Sequence, residues 1–152
     1  MNSSDKLRLL LDSTYLLSIL GVEVEGVEVV MKVLKKLYEL GAVEYYYSLL
    51  SMLEILGKLS KLNYVYERVA RGLRSIEETF KAVYPTAEGY MKALELRTRG
   101  FKDFIDLFLY ATALTRDLFL LTRDEQLVEF LRKQNEDLSC VIYEKELVER
   151  YG

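Results

Sequence analysis

The stretch Leu7-Arg8-Leu9-Leu10-Leu11-Asp12-Ser13-Thr14 decides the fold. Residues 6–11 run apolar at nearly every position, and the run stops at Asp12-Ser13-Thr14, a cluster of helix N-cap types. A strand exposed on one face would alternate polar and apolar residues. This one reads as a strand buried on both faces in a parallel sheet, feeding directly into a helix.

The same alternation repeats downstream. Residues 26–40 carry Val27, Val30, Met31, Leu34, Leu37 and Tyr38 at helical spacing, and Gly41 follows as a stop signal. Residues 43–47 are β-branched and aromatic, which predicts a second strand ending at Ser48, with a helix from about 49 to 62. Residues 64–99 read as helical except at Tyr84-Pro85-Thr86, where a proline and a cap-forming threonine predict a break, and Gly100 closes the stretch. A helix over 101–114, a strand over 118–121, a helix over 124–133 and a last strand over 139–143 complete the series, with a terminal helix after it. Strands separated by helices argue for an α/β sandwich, a parallel sheet covered on both faces with right-handed crossovers.

Composition narrows the chemistry. The chain has 152 residues, 51% of them hydrophobic, which can bury a sizeable core and excludes intrinsic disorder. Histidine is absent, and with it go zinc sites that need imidazole and serine or cysteine nucleophiles activated by histidine. Carboxylates are left as metal ligands. Cys140 is the single cysteine, so no internal disulfide is available, and it reads as a core residue in a reducing cytoplasm. The run at 7–11 is too short to span a membrane, and Asp12 interrupts it before a signal sequence can build up, so a soluble cytoplasmic protein without a membrane partner is expected.

Charge is unevenly distributed. Residues 1–57 hold five basic and eight acidic groups, residues 58–102 ten and five, and residues 103–152 six and eleven, so the middle is a basic island in a chain of net charge −3. Within it Arg68, Arg71 and Arg74 recur every three residues along one side of a helix, a face that could follow a phosphate backbone. A solvated face with Glu67, Glu77 and Glu78 as neighbours is the competing reading. Tyr45, Tyr46, Tyr47, Tyr64 and Tyr66 offer stacking surfaces, although Tyr45 and Tyr47 share a strand and suit a core better.

In an open parallel sheet, ligand sites form beyond the carboxyl ends of the strands. The polar residues expected there are acids. Asp12 ends the first strand, Asp124 follows the strand at 118–121, Glu54 lies in the helix after the second strand, and Asp106 lies early in the helix after Gly100. Each has an ordinary explanation: Asp12 could cap a helix through Thr14, Asp103 and Asp106 have the spacing of an N-cap and its acidic partner, and Asp124 suits a helix N-terminus. Glu54 sits among Met52, Leu53, Ile55 and Leu56, where an unpaired carboxylate is costly and calls for a cation.

Four stretches together resemble the PIN-domain family of metal-dependent nucleases, which includes the toxins of VapBC-type toxin–antitoxin pairs. They are Leu-Arg-Leu-Leu-Leu-Asp12-Ser13-Thr14-Tyr15, Ser48-Leu-Leu-Ser51-Met-Leu-Glu54, Asp106-Leu-Phe-Leu-Tyr-Ala111-Thr112-Ala113-Leu114, and Leu-Phe-Leu-Leu-Thr122-Arg-Asp124. The resemblance implies one PIN-like domain over 1–152, a three-layer α/β/α sandwich with a mainly parallel central sheet and a helical, basic insert at about 63–99. It implies a site in which Asp12, Glu54, Asp106 and Asp124 are catalytic and hold Mg²⁺ or Mn²⁺, with Ser13 or Thr122 placing an acid, a water or a phosphate oxygen, and Asp103 and Asp117 as second choices. An all-oxygen donor set suits those hard cations. The expected activity is endoribonuclease hydrolysis of RNA phosphodiester bonds, with Arg68, Arg71 and Arg74 binding RNA, a homodimer as the assembly and an antitoxin protein as partner. The alternative is a PIN-fold module that binds RNA or protein without cutting. Where members of the family often place a glycine before the last motif strand, this chain has Asp117.

Overall fold

A computed structural model describes residues 5–152 of the chain. In order these form β1 (Leu7–Leu11), α1 (Ser13–Ile19), α2 (Glu28–Glu39), β2 (Val43–Ser48), α3 (Leu49–Leu59), α4 (Tyr66–Thr79), β3 (Phe80–Val83), α5 (Ala87–Thr98), α6 (Phe104–Arg116), β4 (Phe119–Thr122), α7 (Glu125–Lys133), β5 (Val141–Tyr143) and α8 (Glu144–Tyr151). The strands make one sheet in the order β3-β2-β1-β4-β5, and every pairing is parallel. β1 lies at the centre, which accounts for its nearly unbroken apolar run.

Right-handed crossovers then decide where the helices go. The chain steps from β1 to β2 to β3 in one direction, so α1 to α4 lie on one face. It then crosses back over β1 to β4 and β5, so α5 to α7 lie on the other. The core divides accordingly. Leu9, Leu11, Leu16, Val30, Leu34 and Ile55 fill one layer, and Leu10, Leu107, Tyr110, Leu120 and Leu127 fill the other. Within β1 the side chains alternate between the two layers, as the pleat requires. After β5, α8 returns to the first layer through Leu147.

The three-layer α/β/α sandwich with a parallel sheet matches the sequence reading. The stretch 63–99 needs correction: it is not helical throughout, because β3 interrupts it and forms the sheet edge, paired to β2 from Tyr45–Phe80 to Ser48–Val83. The break expected at Tyr84-Pro85-Thr86 is present, with Thr86 Oγ1 accepting from the Gly89 amide at 3.0 Å to cap α5. Among the described residues no helix is long and apolar enough to cross a membrane.

Reversal of direction between β1 and β4 creates a switch point, where the two strand ends diverge and leave a crevice at their carboxyl ends. Asp12 follows β1, and Thr122 ends β4.

Candidate active site

Asp12 is nearly buried at 7% exposure, and two bonds fix its carboxylate. Oδ1 accepts from the Thr14 amide at 3.0 Å, capping α1, and Oδ2 accepts from the Thr122 hydroxyl at 2.8 Å. Thr122 Oγ1 in turn accepts from the Asp124 amide at 3.0 Å, so one hydroxyl joins the ends of β1 and β4. Burial raises the Asp12 carboxyl above its ordinary range, and the charges of Asp124 and Glu54 push the same way, against the lowering effect of the Thr14 and Thr122 hydrogen bonds.

Asp106 reaches the same crevice from the first turn of α6. Asp103 caps that helix, its Oδ1 accepting from the Asp106 amide at 3.2 Å. Asp106 is pushed up to about 9 by burial, by a hydrogen bond shared with Asp124, and by the charges of Asp103, Asp12 and Asp124. Asp106 therefore holds its proton well above the ordinary aspartate range. Asp124 also caps α7, accepting from the amides of Gln126 at 2.9 Å and Leu127 at 3.2 Å.

Glu54 enters from α3 and is held by the Ser13 hydroxyl at 3.1 Å. Its surroundings are less apolar than the sequence implied, because Leu53 and Leu56 point to solvent. Ser51, one turn earlier, is fully buried, and its hydroxyl has no hydrogen-bond partner among the described residues.

Asp12 thus lies within electrostatic reach of Glu54, Asp106 and Asp124, and Asp106 within reach of Asp124, with Ser13 bonded to Glu54 and Thr122 to Asp12. Asp103 stands at the margin as a cap. Asp117 lies outside the cluster, at the far end of α6, where its backbone takes the left-handed conformation with φ 56°. Among the described residues no three acids are gathered tightly enough to hold an ion as they stand. They are paired instead, Asp106 with Asp124, Asp12 with Thr122 and Glu54 with Ser13. The donor set is nonetheless all oxygen, and a hard divalent cation is the species that relieves its crowding.

The three arginines of α4 separate. Arg68 is half-buried: it donates to the Ile19 carbonyl at 2.8 Å at the end of α1, and its stem lies where a Cβ on Gly21 would fall 2.5 Å from it. Arg71 and Arg74 are exposed. Tyr45 and Tyr46 are buried, whereas Tyr64 and Tyr66 are exposed.

Sequence reasoning missed a second set of polar residues behind the crevice. Arg123, between Thr122 and Asp124, does not turn toward the acids. Its guanidinium pairs with Glu144 at 3.4 Å and donates to the Glu25 carbonyl at 2.7 Å, and Glu144 also accepts from the buried Tyr15 hydroxyl at 3.0 Å. No local motif signals a contact between residues so distant in sequence.

An all-parallel α/β sandwich with acids from several segments at its switch point is the architecture of an acid-site α/β protein. The chain belongs to the PIN domain family, whose model matches residues 9–133. PIN domains are in general nucleases, which are hydrolases. The fold is similar to that of PAE2754 from Pyrobaculum aerophilum, at 18% identity and TM-score 0.60, with 95% of each chain covered. It is also similar to VapBC2 from Rickettsia felis bound to a DNA fragment from their promoter, at 15% identity and TM-score 0.64, covering 90% of this chain and 98% of that one. A third likeness is to a toxin–antitoxin complex from Klebsiella pneumoniae, at 19% identity and TM-score 0.57, with 90% and 97% covered. No curated protein matches the sequence.

Proposed function

We propose that the protein is a divalent-metal-dependent endoribonuclease that hydrolyses RNA phosphodiester bonds in the cytoplasm, as the toxin of a toxin–antitoxin pair. One observation supports the reading: Asp12, joined to Asp124 through the Thr122 hydroxyl at the switch point, lies within electrostatic reach of Glu54 and Asp106. Groups that merely capped helices would have no reason to crowd one another.

In this reading Asp12, Glu54, Asp106 and Asp124 hold Mg²⁺ or Mn²⁺. The bound ion supplies a water activated for attack and charge neutralisation at the phosphate. The chain's own residues arrange the rest. Thr122 fixes Asp12 through its hydroxyl, Ser13 orients Glu54, and Asp103 caps the helix that carries Asp106. Arg71 and Arg74 attract the RNA backbone, Arg68 serves mainly to dock α4 on α1, and Tyr64 and Tyr66 offer faces to unpaired bases. An exposed apolar surface along α3, with a cavity of about 260 Å³ lined by Leu56, Leu59, Tyr64, Tyr66, Val69 and Leu73, supports protein partners, both a second copy and an antitoxin. The likeness to VapBC2 and to the Klebsiella pneumoniae complex supports the same assignment.

The paired arrangement of the acids favours a second reading, a module that binds RNA or protein without cutting. Incubation of structured and single-stranded RNAs with Mg²⁺, Mn²⁺ or chelator separates the two. Metal-dependent cleavage that Asp12→Asn abolishes establishes the nuclease. Equal traces from both proteins, together with retained RNA binding, establish the module.

A further inference from the structure

We propose that Glu144 is a positioning residue that ties the segment carrying Asp12 to the segment carrying Asp124, and so sets the spacing of the acids around the cation. The inference rests on the metal-dependent reading above. The family match ends at residue 133, so Glu144, the first residue of α8, lies outside it.

The tie can be followed bond by bond. Tyr15 is fully buried and belongs to the first turn of α1, where its amide donates to the Asp12 carbonyl at 3.2 Å. Its hydroxyl donates to Glu144 Oε1 at 3.0 Å, and burial together with the Glu144 charge keeps the phenol protonated as a donor. The other oxygen, Oε2, pairs with Arg123, whose neighbours in sequence are Thr122 and Asp124. Thr122 bridges the two acids on the crevice side, and Glu144 bridges their supporting segments from behind. Both bonding partners of Glu144 are committed, since Tyr15 is fully buried and Arg123 is anchored again on the Glu25 carbonyl. A second bond from the start of α8, Tyr143 Oη to Glu125 Oε1 at 3.0 Å, holds it against the start of α7, just beyond Asp124.

Such a carboxylate also keeps the Arg123 guanidinium turned away from the acids. Without Glu144 that cation, next in sequence to the carboxylate of Asp124, would keep only the Glu25 carbonyl as an anchor. The loss of Glu144 should therefore weaken metal binding more than it weakens the fold. Groups that orient metal ligands from behind commonly change affinity by roughly 10–100-fold when removed.

Mn²⁺ titration of the metal-free protein, following free Mn²⁺ by electron paramagnetic resonance, tests this without an activity assay. Glu144→Ala should raise the Mn²⁺ Kd about 10-fold or more. Glu144→Gln, which keeps one accepting oxygen but turns an amide NH2 toward the other partner, should recover part of the affinity. Glu149→Ala, an exposed change on the same helix, should bind as the unmodified protein does. If Glu144→Ala lowers Tm yet binds Mn²⁺ normally at a temperature where it is folded, the residue only docks α8 and the inference is overturned. If Glu144→Ala does not fold, Tyr15→Phe and Glu144→Gln decide: weakened binding in Tyr15→Phe supports the tie, and unchanged binding in both overturns it. An unmodified protein with no Mn²⁺ binding that Asp106→Asn removes would overturn the metal reading and this inference together. Binding indifferent to Glu144 would overturn this inference alone.

Discussion

The centre of the sheet and its β3 edge use charge in opposite ways. At the centre, acids are drawn among buried strand ends, held by hydroxyls and helix amides, and one of them is pushed up to about 9. At the edge, Lys81 and Glu44 meet at 2.8 Å in solvent, and Glu44 stays below its ordinary range because Lys81 donates to it. The edge pair is where a charged group is comfortable. The centre is where charge is costly, and a costly, well-held arrangement is what a functional site looks like. Substitutions at the two places should therefore differ in kind as well as in size.

The largest effect belongs to Asp106→Asn. If the crowded acids hold a metal, cleavage should fall by more than the roughly 10–100-fold that a supporting residue costs, measured as kcat/KM with Mg²⁺. The metal-free variant should nevertheless be the more stable protein at neutral and alkaline pH. The folded chain holds the Asp106 proton up to about 9, while an ordinary aspartate releases it near 3.8. The folded state therefore binds the extra proton across that window, and its stability falls as pH rises from about 4 to about 9. Asparagine has no such proton to lose. The Tm of the variant minus that of the unmodified protein should be near zero around pH 4 and grow toward pH 9, at about 2–4 °C for each kcal/mol. A flat difference would remove the electrostatic contrast between centre and edge.

Thr122→Val comes next. It keeps the shape of the side chain and deletes the hydroxyl that bonds Asp12 and receives the Asp124 amide. Stranding these buried groups should cost about 1–3 kcal/mol in urea unfolding, with an unchanged m value. Metal affinity should fall with it, because Asp12 loses the bond that aims Oδ2. Stability lost without a change in metal affinity would make Thr122 a cap and nothing more.

The two regions also differ in how well the sequence announced them. β1 and β2 and the apolar run Leu118–Leu121 were legible because a strand buried on both faces must be apolar almost throughout. The acids were legible as candidates because strand ends point them into the crevice. What could not be chosen was between cap and site, and the structure shows Asp12 and Asp124 as caps of α1 and α7 that also stand in the crevice. β3 was missed for a physical reason. Phe80-Lys81-Ala82-Val83 is half-exposed, with only its two ends partly buried, and it follows Thr79 of α4 with no glycine or proline between them. An edge strand draws its stability from one neighbour and carries a weak pattern of its own. The Tyr15–Glu144–Arg123 contacts were hidden too, since Tyr15 and Glu144 lie 129 positions apart.

Asp117→Gly probes the other end of the central strands at a smaller scale. The left-handed backbone at φ 56° ends α6 before β4, the position where the family resemblance suggested a glycine. A residue with a Cβ is strained there, and glycine is not. The substitution should stabilise the protein by about 1 kcal/mol in urea unfolding and leave cleavage unchanged, since Asp117 lies away from the acids. A loss of activity would move Asp117 into the site and redraw the boundary of the centre.

Lys81→Gln should do least. The Lys81 side chain is 65% exposed, so water solvates its ammonium almost as well in the folded state as in the unfolded one, and the pair with Glu44 gains little when formed. At about 0.15 M salt the Debye length is roughly 8 Å, and screening removes much of what is left. The Tm should stay within the error of a melting curve, and cleavage should not change. The charge has a different use. Among the described residues β3 is paired only on its β2 side, and a lysine along an open edge discourages a second chain from adding to it. Lys81→Val should therefore also leave Tm unchanged, but raise light scattering as protein concentration increases. If Lys81→Gln lowered Tm as Thr122→Val does, charge at the edge would be structural, and the contrast with the centre would reduce to a difference in burial.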